Sequence, residues 1–183
     1  MGQYYIPISI EKKEFVLSHD YGNGLKLMEH SWIGNDFVSI VENLIKKGGR
    51  WYNNHILWAG DYADDEKGQE QNYHQIVSET GTKLIPEQNK DTNLRYLVNL
   101  DTKEFVDFKK VPVSDVWTDE NGNKYNFNIH PLPLLTCEGN NRGGGDYTGE
   151  SPLIGKWARD RVTIRKTKPK NKKYKELIFD LTE

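Results

Sequence analysis

One pattern of apolar, charged and aromatic residues occurs twice in this chain, and it constrains the fold more than any other feature. Residues 8–16 read I-x-I-x-x-K-E-F-V, and residues 98–106 read V-x-L-x-x-K-E-F-V at an offset of 90. Residues 49–58 read G-R-W-x-x-x-H-I-x-W, and residues 155–164 read G-K-W-x-x-x-R-V-x-I at an offset of 106. Each half is therefore predicted to contain a β-hairpin and, later, a Gly-basic-Trp turn that leads into a strand. The alternative is a chance likeness of two short hairpins, because hairpin turns are built from few residue types.

The length of the chain limits how such halves can be organised. With 183 residues, 36% of them hydrophobic, the chain is predicted to form a single domain, 1–183. A genuine repeat would divide it into half-repeats 1–80 and 95–168. Each half is too short to be stable alone, so the two are predicted to share one core, with a cleft at their interface.

An amphipathic helix is the clearest local prediction. Its apolar residues fall at offsets of 0, 3, 4, 7 and 8, which is the stripe of a helix with one buried face. Asn35 or Asp36 is predicted to cap its start, and Gly48-Gly49 to end it. The stripe consists of Phe37, Ile40, Val41, Leu44 and Ile45.

Short strands outnumber helices in the remaining sequence. Pro7 interrupts the first strand, so that strand is expected at a sheet edge or a bulge. The Asn121-Gly122 pair predicts a tight turn between two strands, and Tyr73–Glu79 predicts a short helix stopped by Gly81. The fold class is therefore predicted to be α+β, with a mostly antiparallel sheet. The predicted strands are 4–10, 14–17, 55–58, 95–100, 104–108, 125–129, 161–165 and 177–181.

Composition excludes several classes of protein. The net charge of −2 argues against a uniformly basic nucleic-acid-binding protein. The single cysteine, Cys137, leaves no intrachain disulfide and no cysteine-based zinc site. No stretch reaches the ~20 apolar residues that span a bilayer, and the first residues lack the pattern of a signal peptide. We therefore expect no membrane contact and a cytoplasmic location.

The balanced charge conceals two local clusters. Residues 165–175 contain seven basic residues and no acidic one, which leaves 18 basic and 27 acidic residues elsewhere. Five acidic residues lie within 61–70. Both segments fit solvated loops. The alternative is a basic arm that contacts phosphates or an acidic partner surface; direct nucleic-acid binding is a weaker version of that alternative.

The strongest local candidate for a binding site is a glycine-rich segment at 141–146. Consecutive glycines allow a ligand to approach the main chain, whose N–H groups can surround an anion. An arginine there offers a planar fork for carboxylate or phosphate, and an aspartate could accept from a ribose hydroxyl. The alternative is a flexible loop tip. The candidate ligand-binding residues are Arg142, Gly143, Gly144, Gly145 and Asp146.

Three further residues complete the predicted site. Trp51 and Trp157 mark the two Gly-basic-Trp corners, and Arg161 begins the strand after the second corner. Strand alternation would send Arg161, with Thr163 and Arg165, to one face, while its neighbours face the core. We predict that the corners and the glycine-rich segment converge on one concave, positively lined site. A surface ion pair between Arg161 and Asp160 is the plainer alternative.

Acidic residues after the third strand provide the basis for an enzymatic alternative. Asp61 and Asp64 could bind a divalent cation or act as acid and base. However, no histidine or glutamate lies beside them at a ligand-like spacing. A hydrolase would need these two residues to meet Asp146. No metal, cofactor or catalytic residue is therefore assigned.

Several motifs resemble a widespread family of uncharacterised proteins of bacteriophages, prophages and bacterial genomes. They are M-G-Q-Y-Y at 1–5, H-D-Y-G-N-G-L-K-L-M-E at 19–29, the segments 58–64 and 141–146, and I-G-K-W-A-R-D at 154–160. The resemblance touches most of the chain but carries no activity, fold or catalytic residue. It implies, by analogy alone, a small accessory protein that disables host defences.

Two classes of function follow from these observations. The residues favour a non-enzymatic binding protein, and the family resemblance implies a phage-type accessory protein that acts in counter-defence. It would capture a small, anionic, nucleotide-like ligand, or occlude a host defence nuclease as an inhibitor. The alternative is a metal-assisted hydrolase acting on a nucleotide or sugar. A structural protein of a mobile element is a third reading, which a large exposed apolar patch would support; a homo-oligomer is compatible with each.

Overall fold

The computed structural model describes residues 2–88, 91, 93–140, 147 and 149–181. Within these ranges the chain forms two main sheets, a separate two-stranded ribbon and four α-helices. The helices are α1 (Leu27–His30), α2 (Asp36–Ile45), α3 (Tyr73–Thr80) and α4 (Pro131–Thr136). The α+β class is thus confirmed. Five of the eight strand pairings among the described residues are antiparallel.

The first sheet has five strands in the order β4-β2-β1-β3-β9. Its central strand is β1, which pairs one-to-one with β3 from Tyr5 to Ser9, so the prediction that Pro7 places this strand at a sheet edge or a bulge is wrong. Pro7 pairs with Trp58 on one side. On the other side, the ladder with β2 covers only Ile8 and Ser9. Pro7 thus lies beyond the β2 ladder, where a missing N–H breaks none of its hydrogen bonds. The strands are β1 (Tyr5–Ser9), β2 (Glu14–Val16), β3 (Ile56–Gly60), β4 (Thr82–Leu84) and β9 (Cys137–Glu138).

The second sheet has four strands in the order β10-β5-β6-β11. The hairpin predicted around residues 101–103 joins β5 to β6. The late strand predicted at 177–181 is wrong, because the chain pairs with β6 only at Lys175 and Glu176. The strands are β5 (Tyr96–Asn99), β6 (Glu104–Asp107), β10 (Val162–Arg165) and β11 (Lys175–Glu176).

The two sheets share one arrangement of four strands. In each, a hairpin (β1-β2 or β5-β6) pairs antiparallel with a strand that follows a Gly-basic-Trp turn (β3 or β10). In each, a short strand (β4 or β11) adds in parallel to the second hairpin strand. The repeated pattern predicts the hairpin and the strand after the turn, but not the short parallel strand, which lies outside the predicted half-repeats in both sheets. The division of the chain into two half-repeats stays a prediction.

Helix α2 is built as its periodicity predicts. Asn35 is the N-cap, and its side chain accepts the Val38 N–H at 3.1 Å. All five stripe residues are buried, and they belong to the main core together with side chains of both sheets. The helix ends at Ile45, shortly before the two glycines. Helix α3 follows its prediction and is capped by Gly81.

A two-stranded ribbon lies outside both sheets. It consists of β7 (Asp115–Thr118) and β8 (Lys124–Phe127), joined by the predicted turn, in which Gly122 has a φ of +83°. Nearly every residue of the ribbon is exposed.

Helix α4 was not predicted, because its proline-rich sequence is typical of a loop. All its residues are buried. No helix in the described part of the chain has the length and hydrophobicity to cross a bilayer.

Candidate functional site

Both predicted tryptophan corners are buried and bonded to glutamates. Trp51 is fully buried, and its indole Nε1–H donates to Glu14 Oε2 at 2.9 Å. Arg50 adds a bond from Nε to the same oxygen at 2.9 Å. The Arg50 guanidinium is the main reason that the pKa of Glu14 lies below its ordinary value, and the Trp51 bond contributes. Trp51 thus presents no ring surface to a ligand in this structure.

The second corner repeats these contacts. Trp157 is fully buried, and its Nε1–H donates to Glu104 Oε2 at 2.8 Å. Lys156 takes the place of Arg50, with Nζ at 3.1 Å from Glu104 Oε1. The sequence echo therefore marks two glutamate–tryptophan–cation clusters that fasten each turn to its hairpin. A direct role of either tryptophan in ligand binding stays a prediction.

Arg161 has a partner other than the predicted Asp160. Its Nε and Nη2 atoms donate to Asp101 Oδ1 at 2.8 and 2.6 Å. His55 occupies the matching position in the first half and bonds to Glu11 in the same way. His55 and Arg161 also form an antiparallel bridge with each other. Arg161 therefore lies where the halves meet, with its charge paired.

The predicted glycine-rich site, Arg142 to Asp146, lies outside the described residues. The described residues directly before it, Glu138, Gly139 and Asn140, are half-buried or exposed. Gln3 is buried, and its amide donates to Asn140 Oδ1 at 3.1 Å. A cavity of about 260 Å³ opens beside them. Its lining includes Cys137, Glu138, Gly139, Tyr147 and Gly155.

Of the two acidic residues proposed for catalysis after β3, Asp61 has a structural partner. Asp61 Oδ1 accepts the Tyr4 N–H at 2.8 Å. Within the described ranges, no three histidine, cysteine, aspartate or glutamate residues are placed to hold a metal ion. Whether Asp61 and Asp64 approach Asp146 lies outside these ranges. No contact among the described residues supports the hydrolase hypothesis.

Glu66, within the acidic cluster, serves an internal ion pair. Arg159, which has a φ of +67°, bonds to both Glu66 and Glu138. Its guanidinium also lies 5.5 Å from the centre of the Tyr73 ring. The hydrogen bonds that Arg159 donates to Glu138 and Glu66 raise its pKa. This network ties the acidic loop to the first sheet.

The structure brings together a basic cavity that the sequence did not predict as a site. It has a volume of about 570 Å³ and lies between the end of α2 and the end of β10. Four cationic side chains line it, together with the ring of Tyr52 and one carboxylate, Asp91. We refer to it as the basic cavity. Its cations are Lys46, Lys47, Arg165 and Lys166.

Asp91 neutralises only part of this charge. Its Oδ2 atom lies 3.0 Å from Lys166 Nζ and 3.8 Å from Lys46 Nζ. The hydrogen bond from Lys166 is the main reason that the pKa of Asp91 is lowered. Lys47 and Arg165 have no ion-pair partner within the described ranges. The cavity therefore carries a surplus of positive charge.

The chain matches no protein-family model, and the searches found no similar curated protein and no similar solved structure. The resemblance to phage and bacterial proteins therefore stays an expectation.

The sequence analysis had pointed to only some of the residues that line the basic cavity. Arg165 and Lys166 begin the basic segment 165–175, for which phosphate contact was one of two predictions. Lys46 and Lys47 follow α2, where cations are common because they neutralise the helix carbonyls. No sequence spacing shows that these two pairs meet, because 118 positions separate Lys47 from Arg165.

The buried histidine next to Ser31 has a structural environment. His30 Nδ1–H donates to the Gly24 carbonyl at 2.9 Å, and His30 Nε2 accepts the Trp58 indole N–H at 3.0 Å. Both ring nitrogens are thus occupied by structural hydrogen bonds. Burial lowers the pKa of His30 from 6.5 to about 4. Cys137 is also buried.

Proposed function

We propose that this protein binds a small phosphate-bearing ligand of the nucleotide class in the basic cavity and does not transform it. The observation that carries this proposal is four cations around one carboxylate in a cavity of about 570 Å³. Cavities of roughly 300–1,000 Å³ are usual for small-molecule ligands. The surplus charge favours an anion over a neutral ligand.

The lining provides complementary contacts for such a ligand. The planar guanidinium of Arg165 can bond to two phosphate oxygens at once, whereas a lysine acts as a point charge. Tyr52 is 38% exposed, so part of its ring is open to stack against a base. Thr167 is an exposed hydroxyl at the rim. A nucleotide would use all three side chains, with its phosphate against Arg165 and Thr167 and its base against the Tyr52 ring.

A ligand of this class suits the role that the family resemblance implies. A phage accessory protein could act in counter-defence by sequestering a signalling nucleotide. Inhibition of a host nuclease by occlusion, the other form of counter-defence expected from the sequence, has no specific observation in its favour among the described residues. No described observation favours the hydrolase, so we do not propose it as a second function.

Isothermal titration of the purified protein with ATP, pyrophosphate and inorganic phosphate tests the proposal. We expect ATP to bind more tightly than either inorganic anion, because only ATP can also use Tyr52. Replacing both Lys47 and Arg165 by alanine should weaken ATP binding at least tenfold. Neither side chain has an internal ion pair in the described ranges, so folding should be preserved, which circular dichroism would check.

A charge-matched control is available on other surfaces. Lys12 and Lys67 are exposed and do not line the cavity, so their double alanine variant should bind ATP as the parent does. The proposal is refuted if the cavity variant and the parent bind ATP equally, or if the parent binds none of the three anions at millimolar concentration. Conversion of ATP to a product during incubation would support the hydrolase instead.

A further inference from the structure

The exposed ribbon carries an aromatic surface that the fold does not use. Trp117 and Tyr125 are cross-strand partners with ring centres 5.4 Å apart. Trp117 is 54% exposed and Tyr125 is 48% exposed. Strand alternation places Phe127 on the same face of the ribbon. We call these three residues the aromatic hairpin face.

The aromatic hairpin face continues into a groove in the body of the protein. The Phe127 ring meets the Trp32 ring edge-on, with centres 6.2 Å apart. Below this contact lies a mostly apolar cavity of about 370 Å³. A strip of apolar surface thus runs from the ribbon to the body. The cavity is lined by Met28, Ser31, Trp32, Ser114, Asp115, Phe127 and Ile129.

Such a strip is costly unless something covers it. Exposed indole and phenol rings lose the stabilisation of about 25 cal/mol for each Å² of apolar surface that burial would give. The ribbon does not need these rings to pack its own core, because nearly all its residues are exposed. Tryptophan and tyrosine are the residues that most often dominate the energetics of protein interfaces.

The charges beside the strip indicate what would cover it. Asp115, Asp119 and Glu120 belong to the ribbon, against one cation, Lys124. Asp119 Oδ2 accepts from the Tyr125 hydroxyl at 3.3 Å, so a carboxylate lies next to the exposed ring. Bonds from Asn123 hold the pKa of Asp119 below its ordinary value, which keeps it ionised. Anionic partners, such as nucleic acids and acidic lipid surfaces, are disfavoured here.

We propose that the aromatic hairpin face and its groove dock a basic segment of a partner protein that also carries a large apolar side chain. Lysine or arginine side chains would lie over the Trp117 and Tyr125 rings, where cation–π attraction adds to the nearby carboxylates. The apolar side chain would fill the cavity beside Trp32. This surface shares no lining residue with the basic cavity, so it goes beyond the proposed function.

Two defined peptides test this proposal. One is a 12-residue peptide of alternating lysine and leucine, and the other has glutamate in place of every lysine. We expect the lysine peptide to bind the full-length protein at least tenfold more tightly than the glutamate peptide, with the Trp117 indole N–H signal shifting in NMR spectra. Raising the salt concentration should weaken the binding, because part of the attraction is electrostatic.

Matched variants locate the binding on the ribbon. Trp117→Ser together with Tyr125→Ser should reduce lysine-peptide affinity at least tenfold. Val116→Ser is the control, because Val116 is 48% exposed on the opposite face and should leave binding unchanged. The Lys47→Ala and Arg165→Ala double variant should also bind the peptide normally, which separates this test from that of the basic cavity.

Three results would overturn the proposal. They are equal binding of the two peptides, unchanged affinity in the Trp117→Ser and Tyr125→Ser double variant, and a dimer in native mass spectrometry that this double variant abolishes. The last result would assign the surface to a second copy of the chain.

Discussion

Acidification should destabilise this protein through one buried histidine. His30 bonds to the Gly24 carbonyl through Nδ1–H and to the Trp58 indole through Nε2. Only the neutral imidazole can make both bonds, because a protonated Nε2 has no lone pair to accept the indole N–H. Independently of these bonds, burial lowers the pKa of His30 to about 4, because the charged form would lose its hydration.

The direction and size of the effect follow from proton linkage. In the unfolded chain His30 binds a proton near its ordinary pKa of 6.5, whereas in the folded protein it does so only near 4. Between these values the unfolded state holds more protons, so the free energy of unfolding falls as the pH falls. The loss from His30 should be about 2 kcal/mol between about pH 7.5 and about pH 5, and about 3 kcal/mol by about pH 4.

Urea unfolding followed by tryptophan fluorescence, at several values between about pH 5 and about pH 7.5, measures this loss. His30→Gln is the informative variant, because its side-chain oxygen can still accept from Trp58. At neutral pH it should be less stable than the parent by about 1–3 kcal/mol, since the Gly24 bond is lost. Its stability should then fall by about 2 kcal/mol less than the parent's on acidification.

His19→Gln provides the control, because His19 is exposed to solvent whereas His30 is buried, so this variant should keep the pH dependence of the parent. Equal pH dependence in the parent and in His30→Gln would refute the reasoning. If that variant does not fold, nitrogen-15 NMR of the parent decides the matter. A protonated His30 ring in folded protein at about pH 5.5 contradicts the prediction.

Two further predictions concern the turns that fasten the sheets. Glu14→Gln should lower the free energy of unfolding by about 1.5–3 kcal/mol, because a charged acceptor is lost next to Trp51. Urea unfolding would measure this loss. Glu104→Gln should lower the free energy of unfolding by a similar amount if the two clusters are equivalent. Gly155→Ala should cost about 1–3 kcal/mol in the same assay, because Gly155 has a φ of +69° and a Cβ there would lie 2.7 Å from a backbone carbonyl. Gly34→Ala is its control, with a φ of +92° but open space; equal losses in the two alanine variants would contradict the predicted clash.

Much of the local structure could be predicted because its causes lie within a few residues. Helix α2 follows from an apolar stripe and a capping asparagine, and the ribbon turn follows from Asn121-Gly122. The repeated pattern also indicated which segments would form matching hairpins. Where prediction failed, a distant partner was responsible. Pro7 is tolerated in a central strand because the ladder between β1 and β2 covers only Ile8 and Ser9, and α4 forms from a proline-rich segment that the core buries.

The candidate site shows the same division more sharply. The sequence alone indicated the basic segment that begins at Arg165, the turn of the exposed ribbon and the two tryptophan turns. The bonds from these tryptophans to glutamates became visible only in the structure. The tertiary structure decided that the end of α2 meets the end of β10, which places Lys47 beside Arg165. It also decided that both corner tryptophans face inward. Periodicity reports which side of an element is apolar, but contacts between elements distant in sequence depend on how the sheets and helices pack together.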